Sequence, residues 1–325
     1  MLLDFGMVAA GLVLLFLGGE GLVRGSVAIA TRLGISKLVV GMVIVGFGTS
    51  APELVVSLQA ALAGSPDIAL GNIIGSNIAN ILLILGIAAL LTPLANEDGG
   101  IKREALVMLL VAAALVAALW YGELNRLIGF ALLAGLAVHL TLAFLKERRS
   151  RADIAEGAAP EGAHEHEADE VTDIPLKLPI AIIATLTGLG LLVVGAELMV
   201  EGSTAIARDF GVSEAVIGLT IVAVGTSLPE LATAIVAAIR RHSDVVLANI
   251  VGSNIFNVLA ILGITATIAP IGVSERFLLI DGPIMLVVTL LAFVILLRAR
   301  TVSRLIGGGF LASYCGYILF LASMG

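Results

Sequence analysis

The 325-residue chain is 59% hydrophobic and only 13% charged, whereas soluble domains average about 25% charged residues. Its formal net charge of −7 does not indicate an acidic soluble protein, because eight of the 25 acidic residues fall in one stretch, from Asp153 to Asp173. Runs of about 20 apolar residues recur along the chain, which predicts an all-α polytopic membrane protein. The lipid bilayer is then its principal surroundings, nucleic acid is not an expected partner, and a single cysteine excludes an intramolecular disulfide.

The apolar runs predict ten spanning helices, five on each side of one hydrophilic stretch. The first helix lacks the basic start and the small-residue cleavage pattern of a removed signal, so it is interpreted as a span. The remaining breaks divide the chain into a first unit at 1–147, an acidic linker at 148–176 and a second unit at 177–325. The linker contains His164 and His166, and a solvated segment is a simpler interpretation of it than a metal site. The predicted helices lie at about 3–31, 35–63, 67–91, 101–120, 124–146, 178–207, 212–240, 244–269, 277–297 and 302–323.

Two motifs occur twice at one offset. Gly48 to Glu53 reads GTSAPE and Gly225 to Glu230 reads GTSLPE, which places the two glutamates 230 − 53 = 177 residues apart. The next predicted helix of each unit carries GSN followed three residues later by Asn, at Asn80 and at Asn257, again 177 apart. The chain is therefore interpreted as a tandem duplication of five helices.

Each GTSxPE motif combines a helix break with a carboxylate at membrane depth. Pro52 and Pro229 lack a backbone donor and crowd the preceding turn, so each helix is expected to break just before its glutamate. A charged side chain there costs about 2.5–3.5 kcal/mol on insertion scales. Glu53 and Glu230 are therefore predicted to be functional, whereas Glu20 and Arg24, one turn apart on the first helix, are expected to form a local ion pair.

A repeat of five helices has an odd number of spans, so the two copies should insert in opposite orientations. With a cytosolic linker and external termini, the 18 Lys and Arg residues divide into fifteen cytosolic and three external, namely Arg126, Arg208 and Arg276. This bias obeys the positive-inside rule and predicts two inverted five-helix repeats. Equivalent broken helices of inverted repeats meet near the bilayer midplane, so Glu53 and Glu230 should converge there.

The residues around the two glutamates are rich in oxygen. Carboxylate, hydroxyl, amide and backbone carbonyl oxygens are hard ligands of the kind that Ca²⁺ prefers. The candidate ligands besides the glutamates are Thr49, Ser50, Ser76 and Asn80 with Thr226, Ser227, Ser253 and Asn257. Other asparagines of these motifs, Asn72, Asn77, Asn249 and Asn254, are interpreted as polar contacts that join helices.

The paired motifs resemble the two alpha-repeats of the cation/Ca²⁺ exchanger superfamily, in its Na⁺/Ca²⁺ branch of prokaryotic type, over nearly the whole chain. The resemblance implies a ten-helix antiporter of the inner membrane, in which the first helix of each repeat slides against a rigid core. It implies the ligands already named and adds backbone carbonyls near Gly46 and Ala223. This chain differs from many exchangers at Asn80 and Asn257, because one of these two positions is often Asp in the family. The charge of the site in this chain is therefore −2 at most.

The leading hypothesis is exchange of Ca²⁺ for Na⁺ by alternating access, with inorganic cations as the transported partners, no covalent chemistry and no cofactor. The alternative is an H⁺-coupled Ca²⁺ antiporter, because two protons also neutralise a charge of −2. An intramembrane hydrolase is disfavoured, since Ser50 and Ser227 have no neighbouring His and His139 is isolated on a featureless helix. A passive cation channel is disfavoured by two duplicated, broken half-sites. Either a monomer or a homo-oligomer is compatible with the sequence.

Overall fold

The computed structural model describes residues 2–96, 99–155, 176–211 and 223–324. Over these residues the regular secondary structure is helical except for four strands of two residues, β1 (Leu94–Ala95), β2 (Glu123–Leu124), β3 (Ile271–Gly272) and β4 (Thr301–Val302). The helices are α1 (Leu2–Leu33), α2 (37–49), α3 (Ala51–Leu62), α4 (Pro66–Leu91), α5 (Gly99–Leu119), α6 (Arg126–Ala155), α7 (Leu178–Asp209), α8 (Ala223–Gly225), α9 (Leu228–Ile239), α10 (Ser243–Ile268), α11 (Phe277–Arg298) and α12 (Arg304–Met324).

Within the described residues, seven helices are long and apolar enough to cross a membrane, namely α1, α4, α6, α7, α10, α11 and α12. The pair α2 and α3 becomes an eighth span if it is counted as one helix bent by 45°. Two of the ten predicted spans do not meet this test by themselves. Helix α5 carries the charged residues Lys102, Arg103 and Glu104 near its start. Helix α9 has only 12 residues, and residues 212–222 of the same predicted span lie outside the described chain.

The helices that open the two halves pack against each other through glycine. A Cβ added at Gly18 would lie 2.8 Å from the carbonyl oxygen of Gly188, and one added at Gly11 would lie 2.7 Å from that of Gly195. Since Gly11 and Gly18 are each 177 positions before Gly188 and Gly195, the two close approaches are equivalent by the repeat. Small residues let membrane helices approach to backbone contact, so α1 and α7 form a tightly packed pair.

The remaining helices surround α4 and α10, which hold the largest cluster of buried apolar side chains. Short strands tie the two halves together at their loops: β1 pairs with β4 through Leu94 and Val302, and β2 pairs with β3 through Leu124 and Ile271. Leu94 and Ile271 are 177 positions apart, so β1 and β3 are equivalent by the repeat, and each of them pairs with a strand of the other half.

One predicted helix boundary needs correction. Helix α6 continues to Ala155, so the first residues of the predicted 148–176 linker are helical. His164 and His166 lie outside the described residues.

Candidate ion-binding site

Both proline-containing motifs break their helices ahead of the glutamate, as predicted, and the break falls at the serine. Ser50 has φ −81° and ψ 9°, and Ser227 has φ −88° and ψ 8°, so neither continues the α-helix that follows it. A serine at this position normally caps the next helix through its hydroxyl. Neither serine does so, which leaves both hydroxyl groups available for another partner.

Those hydroxyl groups bind the glutamates of the opposite repeat. The Oγ of Ser50 donates to Oε1 of Glu230 over 2.8 Å, and the Oγ of Ser227 donates to Oε1 of Glu53 over 3.1 Å. Both carboxylates are only 1% exposed. The predicted convergence of Glu53 and Glu230 is therefore confirmed, and the two halves meet through a crossed pair of hydrogen bonds.

Within the described residues, the two carboxylates have no positive side chain to balance them. Neither Glu53 nor Glu230 forms an ion pair with any Lys or Arg of the described chain, and the Oε2 atom of each is buried without a hydrogen-bond partner. Burying an unpaired carboxylate is strongly unfavourable, and two neighbouring ones also repel each other. The arrangement therefore requires cations or protons at the free oxygens.

The predicted hydroxyl and carbonyl groups lie around this pair. The Oγ of Ser76 is 3.4 Å from the Oγ of Ser227, and the Oγ of Ser253 donates to the carbonyl oxygen of Gly46 over 3.2 Å. Thr49 donates to the carbonyl oxygen of Val45 over 3.0 Å. The other two predicted positions lie in the second broken helix, where Ala223 is the first described residue of α8 and Thr226 stands at the break beside Ser227.

Asn80 and Asn257 occupy equivalent irregular turns. Each is the first residue of a π-helical turn, at Asn80–Ile84 and at Asn257–Leu262, and such turns are frequent at functional sites. Both side chains are buried, and the Oδ1 atom of each lacks a hydrogen-bond partner. Each also lies one helical turn after Ser76 or Ser253, so these free oxygens belong to the same site region.

Asn72 and Asn249 support the broken helices, as their prediction as helix-joining residues implied. The Nδ2 of Asn72 donates to the carbonyl oxygen of Glu53 over 3.2 Å and to the Oγ of Ser57 over 2.9 Å. Its Oδ1 accepts from Thr226 over 3.2 Å, and that of Asn249 lies 3.5 Å from the Oγ1 of Thr49. Each asparagine thereby holds the break of the opposite repeat in place.

Some polar contacts were missed because their partners lie on different helices. The expectation that His139 is isolated on a featureless helix is wrong: Glu104 is buried on α5, 2.8 Å from the Nη2 of Arg103, and His139 on α6 lies 3.6 Å from the Oε2 of Glu104. His139 is therefore not isolated. The buried Met108 and Met285 contact the asparagines of the GSN motifs, and only their 177-residue spacing could have drawn attention to them.

The expected ion pair between Glu20 and Arg24 is present, and it has a second cation. Arg240, which follows the last residue of α9, binds both carboxylate oxygens of Glu20. The contact joins α1 to the helix that carries Glu230. The sequence offered no sign of it, because residues 20 and 240 are in different repeats.

Metal sites built from three or more His, Cys, Asp or Glu side chains are absent from the part of the chain that the structure describes. Two carboxylates surrounded by hydroxyl and amide oxygens instead form a site of low charge and many neutral oxygens. Such a set suits hard cations bound with partial or full dehydration.

Comparisons with known proteins agree with this geometry. The family model described as sodium/calcium exchanger protein matches residues 3–145 and 180–322. Inner membrane protein YrbG of Escherichia coli is 36% identical over 318 residues, 96% of this chain and 95% of that protein. Sodium/calcium exchanger MaX1 of Methanosarcina acetivorans is 31% identical over 352 residues, 98% of each chain. The sodium-calcium exchanger NCX_Mj, solved after soaking with 10 mM Na⁺ and 10 mM Sr²⁺, superposes with a TM-score of 0.82 at 30% identity over 98% of both chains. This chain therefore belongs to the sodium/calcium exchanger family, whose members are membrane transporters and not enzymes.

Proposed function

We propose that this protein is a secondary antiporter of a prokaryotic plasma membrane that exchanges Ca²⁺ for Na⁺ by alternating access. Ten spanning helices would form two inverted repeats, over 1–147 and 177–325, with the termini outside and the 148–176 linker in the cytosol. The transported cations would be held by Glu53 and Glu230 together with the oxygens of Thr49, Ser50, Ser76, Asn80, Thr226, Ser227, Ser253 and Asn257, and by the carbonyl groups of Gly46 and Ala223.

The observation that carries this proposal is the crossed contact of the two broken helices. Each serine binds one oxygen of the opposite glutamate and leaves the other oxygen buried and unpartnered. A structural role would demand a Lys or Arg partner, since the unpaired charges are otherwise costly. A cation bound between the free oxygens neutralises both carboxylates at once and bridges the two repeats.

The charge of the site limits what it can exchange. With neutral Asn80 and Asn257, only Glu53 and Glu230 contribute charge, −2 when both are ionised. One Ca²⁺ or two Na⁺ balance it, whereas three Na⁺ would leave a net positive charge in a region of low dielectric constant. Two protons balance it equally well, and this keeps H⁺-coupled Ca²⁺ antiport as the second candidate.

An asymmetry between equivalent helices supports alternating access. Helix α9 has eight buried residues, whereas its equivalent α3 has only two, Glu53 and Ser57. Val236 on α9 is 3% exposed and packs on Gly19 of α1, but the equivalent residue of α3, Gln59, is exposed. The pair formed by α1 and α7 thus covers α9 more fully than its equivalent α3. In the proposed topology α9 lies on the cytosolic side, so access from the cytosol is covered. If α1 and α7 moved to the equivalent contacts with α3, the external side would be covered instead.

A gradient-swap flux assay tests the coupling ion. Proteoliposomes are loaded with Na⁺ and diluted into Na⁺-free medium that contains ⁴⁵Ca²⁺, and a parallel sample receives a pH gradient instead. We expect uptake that depends on the Na⁺ gradient and persists when the pH gradient is collapsed by an ionophore. Uptake that follows the pH gradient and ignores Na⁺ would establish the proton-coupled alternative, and a voltage-driven current without either gradient would indicate a channel.

A further inference from the structure

Two short hydrogen-bonded chains end at the free oxygens of Asn80 and Asn257. In the first, the Nδ2 of Asn77 donates to the sulfur of Met285 over 3.7 Å, and the Oδ1 of Asn77 accepts from the Nδ2 of Asn257 over 3.3 Å. Asn257 then has its Oδ1 left without a partner.

The second chain repeats the first with the two halves exchanged. The Nδ2 of Asn254 donates to the sulfur of Met108 over 3.4 Å, and its Oδ1 accepts from the Nδ2 of Asn80 over 3.2 Å. Met108 and Met285 are 285 − 108 = 177 positions apart, as are the asparagines. All six side chains are at most 4% exposed, so solvent does not compete for these groups.

A buried pair of asparagines can be hydrogen-bonded in either of two orientations. If Asn77 presents its oxygen, Asn257 must donate its NH₂ group to it and keeps its own oxygen free; if Asn77 presents its NH₂ group, the opposite holds. A thioether breaks this equivalence because it accepts hydrogen bonds and cannot donate them. The sulfur of Met285 therefore favours the orientation of Asn77 in which the NH₂ group faces Met285 and the oxygen faces Asn257.

We propose that Met285 and Met108 are positioning residues that determine which end of the Asn257 and Asn80 amides faces the transported cation. The proposal deepens the function proposed above and depends on it. With the methionines in place, both amides present an oxygen, which a cation binds. With the amides reversed, both would present NH₂ groups, whose positive hydrogens repel a cation.

Leucine is the matched replacement, because it conserves the volume of methionine in a core and removes only the acceptor. Equilibrium binding of ⁴⁵Ca²⁺ is measured on the purified full-length chain for the wild type, Met285→Leu and Met108→Leu. We expect each variant to weaken Ca²⁺ binding by about two- to tenfold, the range of one net hydrogen bond. Met42→Leu is the control, since Met42 is equally buried and, among the described residues, the amide groups that donate to a methionine sulfur are at Met108 and Met285 only.

An aspartate at position 257 separates orientation from packing. In Asn257→Asp the carboxylate only accepts, so Asn77 must turn its NH₂ group toward it and its oxygen toward Met285, where the sulfur has nothing to donate. Met285→Leu should then leave Ca²⁺ binding unchanged or improve it relative to Asn257→Asp alone, which is the opposite of its effect in the wild type. Asn80→Asp with Met108→Leu tests the equivalent chain.

The inference is overturned if Met285→Leu binds Ca²⁺ as the wild type does, or if it causes the same loss in both backgrounds, as a packing defect would. Equilibrium binding does not depend on the ion that drives exchange. A wild type that binds Ca²⁺ but transports none would therefore refute the proposed function without deciding against the role of the methionines.

Discussion

The ion pair between Arg240 and Glu20 should stabilise one of the two conformations required by alternating access. Arg240 follows α9, which carries Glu230, whereas Glu20 lies on α1, the helix that covers α9. The contact has no counterpart in the other repeat, because the residue equivalent to Arg240 is Ala63. Replacing Arg240 with Gln should therefore favour the conformation in which α1 has moved away from α9.

The magnitude follows from the burial of the pair. The side chains of Glu20 and Arg240 are 20% and 28% exposed, so the pair is neither fully exposed nor fully buried. Exposed ion pairs contribute about 0.2–1 kcal/mol, whereas disrupting a buried pair costs about 3–5 kcal/mol. Glu20 keeps Arg24 after the substitution, which reduces the loss. We expect about 1–2 kcal/mol, equivalent to about a 5- to 30-fold change in the ratio of the two conformations.

Cysteine labelling measures this ratio. Val236→Cys is introduced after Cys315 is replaced by serine, because Val236 is covered by α1 at Gly19 in the present conformation. Its labelling rate with a maleimide should rise by about 5- to 30-fold on addition of Arg240→Gln. Arg24→Gln is the matched control. It also removes a positive charge beside the Glu20 carboxylate, but Arg24 lies on α1 together with Glu20 and so does not link α1 to α9.

Two results would refute this reasoning. One is an unchanged labelling rate in Arg240→Gln, and the other is an equal rise in Arg24→Gln, which would show that the charge of Glu20 matters and its link to α9 does not. Ala63→Arg provides the opposite test, because it places a guanidinium at the position equivalent to Arg240 and should stabilise the alternative conformation through Glu197.

Three further predictions concern the site and the helix pair. Glu53→Gln and Glu230→Gln should each abolish ⁴⁵Ca²⁺ uptake, because one negative charge remains for a divalent cation, while Glu20→Gln should retain most uptake; wild-type rates in either site variant would show that the ligands are misassigned. Lowering the pH should weaken ⁴⁵Ca²⁺ binding at equilibrium, because protons and Ca²⁺ compete for the same two carboxylates, and binding that is independent of pH would contradict their role. Gly18→Ala should destabilise the protein by about 1–3 kcal/mol through overpacking, detected as a lower midpoint of thermal unfolding, whereas Gly6→Ala, with nothing within 4 Å of the added Cβ, should leave the midpoint unchanged.

Much of the site could be predicted from the chain because the duplication marks it. Carboxylates are rare in apolar helices, so two of them in matching proline-containing motifs identified Glu53 and Glu230 without any coordinates. The prolines also predicted a helix break ahead of each glutamate, since their effect acts on neighbouring residues of the same segment, and the structure has these breaks at Ser50 and Ser227.

The pairing of those motifs was decided only by the tertiary structure. A repeat offset identifies equivalent residues, but it does not say that Ser50 binds Glu230 rather than Glu53, or that Arg240 joins Arg24 at Glu20. Likewise, the sequence identified Asn80 and Asn257 as sources of oxygen, but the orientation of their amides depends on Met108 and Met285 from other helices. Such contacts depend on how one repeat is rotated against the other, and that rotation is set by the packing of whole helix surfaces, which no local stretch of sequence encodes.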